Sequence, residues 1–258
     1  MLERKKDNMD LGELMCGGSN AKMYEINDIM DTLRIKINKF TEKILNFDWC
    51  SSETPLEITF YARNILESAL TALVGRFDPF RLITIYKVQS SENYNIGKKM
   101  LSALQWSGDI IADSNQNAVW NPDFKVEKYD RAILGNYCGE IIWKPAFISL
   151  FDYLDDREIS STWIQEILDV DETSNFERCK SDARKLFSSF SKGVHSEDLV
   201  NNAPIFDIVT VKGLVRDLFR LCSTLGLISH FIGYLVPNIQ VEQAMQIFQE
   251  MEERMNEL

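Results

Sequence analysis

The chain has 258 residues, 45% of them hydrophobic and 26% charged, which is enough to bury a core and is ordinary for a globular protein. Its net charge of −11 argues against a protein that coats nucleic acid, because a negative field repels phosphate unless basic residues are locally concentrated. The 5 scattered cysteines include no Cys-x-x-Cys pair, which argues against a disulfide scaffold or zinc site and favours a reducing, cytoplasmic location.

The first 20 residues are predicted to form a mobile tail. The charges at positions 3–7 are not followed by an apolar run, so this segment is not a signal peptide. Gly17-Gly18 then interrupts the chain before the first regular element. Residues 21–258 are predicted to form a single all-α domain, in which residues 90–145 are a less regular insertion.

Three helices are predicted at the start of this domain. Residues 21–49 carry apolar side chains every three or four positions, which is typical of a helix that packs by one face. A second helix is predicted from a capping box at Thr54 to a stop at Gly75. Arg63 and Glu67 lie one turn apart on it and are expected to pair. A third helix is expected after Asp78-Pro79.

The pattern is weakest in residues 90–145. A helix over 93–111, a loop over 113–123 and shorter helices over 129–143 and 145–154 are expected. Strands remain an alternative in this part of the chain. Asp152, Asp155 and Asp156 form an acidic cluster that we interpret as a solvated helix end.

The helical pattern returns at Ser161. A capping box at Ser174 is predicted to open a helix whose apolar face runs from Phe176 to Phe190 and which reaches Gly193. A long helix follows over about 207–236, and an acidic amphipathic helix over 241–258. Residues 221–239 carry no charge, but four polar side chains and two glycines favour a buried helix over a membrane span. Within that run, His230 is expected to be a hydrogen-bonded core residue.

The candidate site is the turn at the end of the helix that contains Phe190. His195 can transfer protons near neutral pH, and Glu197 could orient the imidazole. The nearby Lys192, Lys185 and Arg184 could hold phosphate oxygens. A plain helix C-terminus is the alternative, because cations favour the negative end of the helix dipole and Gly193 allows the turn. Glycine-rich nucleotide motifs and His-Glu-x-x-His are absent from the sequence, so no cofactor or metal is expected.

Two stretches carry a family resemblance. Ala-Arg-Asn-Ile-Leu-Glu-Ser-Ala-Leu at 62–70, and Leu-Phe-Ser-Ser-Phe-Ser-Lys-Gly-Val-His at 186–195 before a long apolar helix, resemble the HEPN superfamily of prokaryotic helical domains. The resemblance implies an α-helical bundle, frequent dimerisation and a role in toxin–antitoxin, abortive-infection or other anti-phage systems. Many members are metal-independent ribonucleases. Their motif is an arginine, four to six residues and a histidine, in which the histidine is the acid/base and the arginine stabilises the phosphorane.

The chain departs from this motif at the arginine. His195 matches the histidine, but Ser188, Ser189 and Phe190 stand where the arginine is expected. Another arginine, such as Arg184 or Arg216, would have to supply that role in space.

Two hypotheses follow. The first is a HEPN-like accessory subunit that docks on a protein partner from the same defence or toxin–antitoxin operon, with a homodimer as a further expected assembly. The alternative is a metal-independent endoribonuclease that uses His195 with Lys192, Arg184 and Glu197. RNA is a partner only in the second, and a membrane is a partner in neither.

Overall fold

The computed structural model describes residues 10–18, 24–49, 54–92, 133–194 and 207–258. Within these residues the regular structure is helical throughout, which confirms the all-α helical bundle. The helices are α1 (Leu11–Cys16), α2 (Tyr24–Leu45), α3 (Thr54–Phe77), α4 (Pro79–Gln89), α5 (Asn136–Cys138), α6 (Lys144–Leu154), α7 (Thr162–Leu168), α8 (Glu172–Val194), α9 (Ile208–Ser229) and α10 (Val241–Asn256). A π-helical turn, Gly139–Trp143, joins α5 to α6.

Helices α3 and α9 form the centre of the bundle. Helix α3 packs against α1, α2, α4, α8 and α9, and α9 packs in turn against α1, α6, α8 and α10. From Leu221 to Ser229 every side chain of α9 is buried, which agrees with the absence of charge in this stretch. Buried apolar residues from α1 to α10 form a hydrophobic core around these two helices.

Helix α1 corrects the prediction of a mobile tail for residues 10–18. Leu11, Leu14 and Met15 are fully buried, and α1 packs against α2, α3, α9 and α10. Its backbone is also held, because Gly12 N–H donates to Asn38 Oδ1 over 2.7 Å. One turn of helix is too short to show a periodic pattern, so its burial comes from tertiary contacts. Residues 1–9 of the predicted tail lie outside the described residues.

The boundaries of α2, α3 and α4 follow the predicted pattern closely. Helix α2 lies within the predicted 21–49, and α3 starts at Thr54 as expected but passes Gly75 and ends at Phe77. Asp78 then caps α4, since its Oδ1 accepts from Arg81 N–H. The stop at Gly75 was wrong because its lack of a side chain serves packing: a Cβ there would lie 2.4 Å from a Leu82 methyl.

Residues 133–154 are helical over most of their length. Within the described residues, the helices expected over 129–143 and 145–154 form one continuous run from α5 at Asn136 through the π-helical turn to α6. Pro145 lies just after the π-helical turn, where the backbone hydrogen-bond ladder is already irregular and the missing N–H of proline is accommodated. The strand alternative is therefore excluded for this stretch. The helix expected over 93–111 and the loop over 113–123 lie outside the described residues.

The cap of helix α8 lies three residues before the predicted one, and the helix starts at Glu172. Asp171, rather than Ser174, caps it: Asp171 Oδ1 accepts from Ser174 N–H over 2.7 Å. Its predicted apolar face is confirmed, since Phe176, Cys179, Ala183, Leu186 and Phe190 are buried.

Helix α9 begins after Asp207, as predicted, but ends at Ser229 rather than near residue 236. The chain turns at His230, whose side chain contacts α1 and α3, as described below. Helix α10 lies within the predicted 241–258.

Candidate functional site

The last turns of α8 hold the described part of the predicted site. Lys192 is exposed there, two residues after the buried Phe190. His195 and Glu197, the predicted acid/base and its orienting carboxylate, lie outside the described residues. The structure therefore describes only two parts of this region: helix α8, which leads into the predicted site, and the side chains that contact α8.

Arg184 and Lys192 are both exposed on α8, but the helix keeps them apart. They are eight positions distant, which corresponds to about 12 Å along a helix that rises about 1.5 Å per residue. The structure does not gather these two predicted phosphate ligands at one point. Lys185, next to Arg184, instead forms an ion pair with Asp217 of α9 at 3.5 Å.

Arg216, the other arginine considered in the sequence, is directed toward α10. Its Nε donates to the backbone carbonyl oxygen of Met255 over 3.3 Å. This contact holds the guanidinium at the end of α10, so Arg216 serves the packing of α9 on α10 in the described structure.

A different arginine contacts the last turns of α8. Arg63 of α3 donates from Nη1 to Ser191 Oγ over 2.9 Å, and its guanidinium carbon lies 4.8 Å from the centre of the Phe187 ring. The Ser191 hydroxyl in turn donates to the Phe187 carbonyl oxygen over 2.6 Å. Ser191 stands four residues before His195 in the sequence, so Arg63 reaches this part of α8 from 128 positions away.

The charge of Arg63 is locally compensated. Its Nε donates to Glu67 Oε1 over 3.0 Å, which confirms the pair predicted from the i,i+4 spacing. The sequence pattern indicated this ion pair but carried no signal for the contact with Ser191, because α3 and α8 are brought together only by packing. The end of α8 therefore has an arginine beside it, but one whose charge is shared with a carboxylate.

A second polar cluster lies inside the bundle, where α3 ends. Arg76 is only 2% exposed. Its Nη1 donates to Ser229 Oγ and to the Met15 carbonyl oxygen, and its Nη2 donates to Asn238 Oδ1. These acceptors are all neutral, and burial lowers the pKa of Arg76 to about 9. Arg76 thereby ties α1, the end of α9 and the segment after it to α3.

His230 belongs to the same cluster, which confirms it as a hydrogen-bonded core residue. It is 6% exposed, its Nδ1 accepts from Arg76 Nη2 over 3.3 Å, and its Nε2 donates to the Leu14 carbonyl oxygen over 2.9 Å. Burial, and then the neighbouring Arg76 charge, lower the pKa of His230 to about 3. The neutral imidazole uses both ring nitrogens in hydrogen bonds and so links the end of α9 to α1 and α3.

Two further properties were determined for the described part of the chain. It contains no group of three or more His, Cys, Asp or Glu side chains placed to hold a metal ion. It also contains no helix that is long and apolar enough to cross a membrane. The burial of Leu221 to Ser229 confirms the prediction that the uncharged stretch of α9 belongs to the core.

No protein-family model, no curated protein and no solved structure matches the chain. The resemblance to the HEPN superfamily consequently stays a prediction.

Proposed function

We propose that the chain is a HEPN-like helical interaction subunit of a prokaryotic anti-phage defence or toxin–antitoxin system. In this proposal it docks on a protein partner encoded in the same operon and does not cleave RNA. The supporting observation is that Arg63, the arginine that contacts the last turns of α8, is paired with Glu67. A carboxylate at this distance compensates the cation and repels a phosphate, which weakens the stabilisation that a phosphorane needs.

The charge of the whole protein supports the same proposal. A net charge of −11 slows the approach of RNA and favours partners with basic surfaces. A cytoplasmic location is part of the proposal, and the free thiols of Cys16, Cys138, Cys179 and Cys222 suit a reducing compartment.

A metal-independent endoribonuclease is the second candidate, and the position of Arg63 is the observation that favours it. Arg63 lies against Ser191, four positions before His195, so it could supply from α3 the cation that the sequence motif lacks. In that case His195 would be the acid/base, and Glu67 would have to release the guanidinium when RNA binds.

RNA cleavage in the presence of EDTA tests the choice between these candidates. We expect the purified chain, alone or with the products of neighbouring genes, to leave RNA intact, and His195→Ala to change nothing. Cleavage that disappears in His195→Ala and Arg63→Ala, but persists in Arg216→Ala, would establish the ribonuclease instead. Arg216 is the matched control because it also donates to one neighbouring helix.

Co-expression with the neighbouring genes tests docking itself. We expect a stoichiometric complex that survives size-exclusion chromatography and is unaffected by His195→Ala. If no product of the operon forms such a complex, the accessory-subunit proposal is wrong.

A further inference from the structure

Helix α6 and the π-helical turn before it present an exposed apolar face. Ile141 is 67% exposed and Ile148 is 45% exposed, and the exposed Pro145 lies between them. Steps of four and three residues place all three on one side of a helix. The opposite side of α6 is buried in the core through Ala146, Phe147, Leu150 and Leu154.

The same face becomes acidic toward the end of α6. Asp152 and Asp155 continue the spacing that begins at Ile141, Asp156 follows, and all three are exposed. Arg157 is the adjacent base, and its guanidinium carbon lies 3.9 Å from the centre of the Tyr153 ring. Three carboxylates at a helix C-terminus oppose the helix dipole, which favours cations at that end. The three carboxylates are tolerated because they are exposed to solvent. Their negative charge does not stabilise the helix, so helix stability gives no reason for acidic residues at this end.

We infer that this face, Ile141 to Asp156, is the docking surface for an amphipathic helix of the partner protein. The partner helix would place apolar side chains over Ile141 and Ile148 and basic side chains beside Asp152, Asp155 and Asp156. The face extends over 16 residues, so a helix of about four turns, roughly 22 Å long, would cover it. The inference rests on the proposed function, because it identifies the surface through which the subunit docks.

Charge complementarity favours such a partner over a second copy of the chain. A second copy carries the same acidic face and a further net charge of −11, so its approach is opposed by repulsion. A helix with an apolar stripe and a basic end satisfies both parts of the face. The carboxylates would then select the orientation of the bound helix, while the isoleucines would supply most of the affinity.

A pair of synthetic helices is the first probe. One fluorescent, stapled 15-residue peptide has leucines at steps of four and three and three lysines at one end; the other has three glutamates in place of the lysines. Fluorescence anisotropy with the full chain measures the dissociation constant. We expect the lysine peptide to bind at least about tenfold more tightly, with a preference that falls as salt increases.

Matched variants locate the site. Ile141→Asn should weaken binding of the lysine peptide about tenfold, whereas Ile35→Asn should change it less than about twofold. Ile35 on α2 is the matched control, since it is also 67% exposed. Circular dichroism and thermal unfolding verify that both variants fold. Equal effects of the two substitutions, or no preference for the lysine peptide, would overturn the inference.

A charge exchange tests the acidic end separately. We expect Asp152→Lys combined with Asp155→Lys to reverse the preference, so that the glutamate peptide binds more tightly. An unchanged preference contradicts the assignment of this end. Sedimentation velocity tests whether a second copy of the chain occupies the face instead. If the wild-type chain is a dimer that Ile141→Asn dissociates, the face binds a second copy and the inference is overturned.

The operon complex distinguishes this inference from the proposed function. If the complex forms and Ile141→Asn dissociates it, both are supported. If it forms and survives Ile141→Asn unchanged, the docking surface is wrong while the subunit proposal stands.

Discussion

Two arginines on one helix, Arg63 and Arg76 of α3, have opposite environments. Arg63 is partly exposed and pairs with Glu67 on its own helix, and it contacts Ser191 and Phe187 of α8. Arg76 is buried and contacts only neutral acceptors among its described hydrogen-bond partners, which come from three separate parts of the chain. Arg63 therefore forms a surface ion pair, whereas Arg76, 13 positions later on the same helix, links buried parts of the bundle.

The difference predicts unequal costs for losing the two side chains. A partly exposed i,i+4 pair contributes a few tenths of a kcal/mol, because water and counterions screen both charges. The buried guanidinium of Arg76 donates to Ser229 and to the Met15 carbonyl, which are both shielded from solvent, and removing it leaves these two acceptors without that donor. The buried arginine should therefore be far less replaceable than the exposed one.

Arg76→Ala is expected to have the largest effect. It leaves Ser229, Asn238 and the Met15 carbonyl without their donor and opens a cavity, so the free energy of unfolding should fall by about 3–5 kcal/mol. Urea unfolding followed by circular dichroism measures this loss. Arg76→Lys is the control: it keeps the charge but not the planar set of donors, and its cost should be intermediate. A loss below about 1 kcal/mol would show that the internal network is not a major contributor.

Acidification should weaken the same network through His230. Its pKa is lowered to about 3 in the folded protein, against about 6.5 in an unfolded chain. Below pH 6.5 the unfolded chain binds a proton that the folded protein does not, so the free energy of unfolding falls as pH decreases toward 3. The maximum slope is about 1.4 kcal/mol per pH unit, which gives a loss of about 2 kcal/mol at pH 5.

Urea unfolding at pH 7, 6 and 5 measures this dependence in the wild type and in His230→Gln. The difference between the two proteins isolates His230 from other titrating groups. We expect the loss between pH 7 and 5 to be smaller in His230→Gln. Identical slopes would contradict the depressed pKa.

Arg63→Ala should have the smallest effect of the three. It removes a screened ion pair, a hydrogen bond to Ser191 and the contact with Phe187, so the expected loss is about 1 kcal/mol or less. The same urea experiment measures it. A cost equal to that of Arg76→Ala would remove the contrast between the two arginines.

The sequence predicted those features that depend on residues close together in the chain. The ion pair of Arg63 with Glu67 and the start of α4 after Asp78 both depend on residues at most four positions apart. The apolar face of α8 was equally predictable, since periodic burial follows directly from helical geometry. The cap of α8 was placed at Ser174 instead of Asp171, because both residue types are good caps and spacing alone does not choose between them.

The candidate site was predicted less completely than the fold. Lys192 and Arg184 were identified by residue type, but their separation along α8 is a consequence of an unbroken helix. Arg63 was found beside Ser191 only in the structure, since no local pattern links positions 128 apart. The exposed face from Ile141 to Asp156, which we propose as a docking surface, was missed for a related reason. Its spacing was visible, but whether that face or the opposite one is buried depends on packing against α8 and α9.

The sequence by itself determined that this protein is an acidic, all-α bundle, because composition, caps and the spacing of apolar residues act over a few positions. Only the tertiary structure decided that residues 11–16 join the core, that α9 ends at Ser229, and that Arg76 and His230 connect these parts. Those outcomes depend on the burial of polar groups against distant neighbours. The free energy of such contacts is set by the partners that packing supplies.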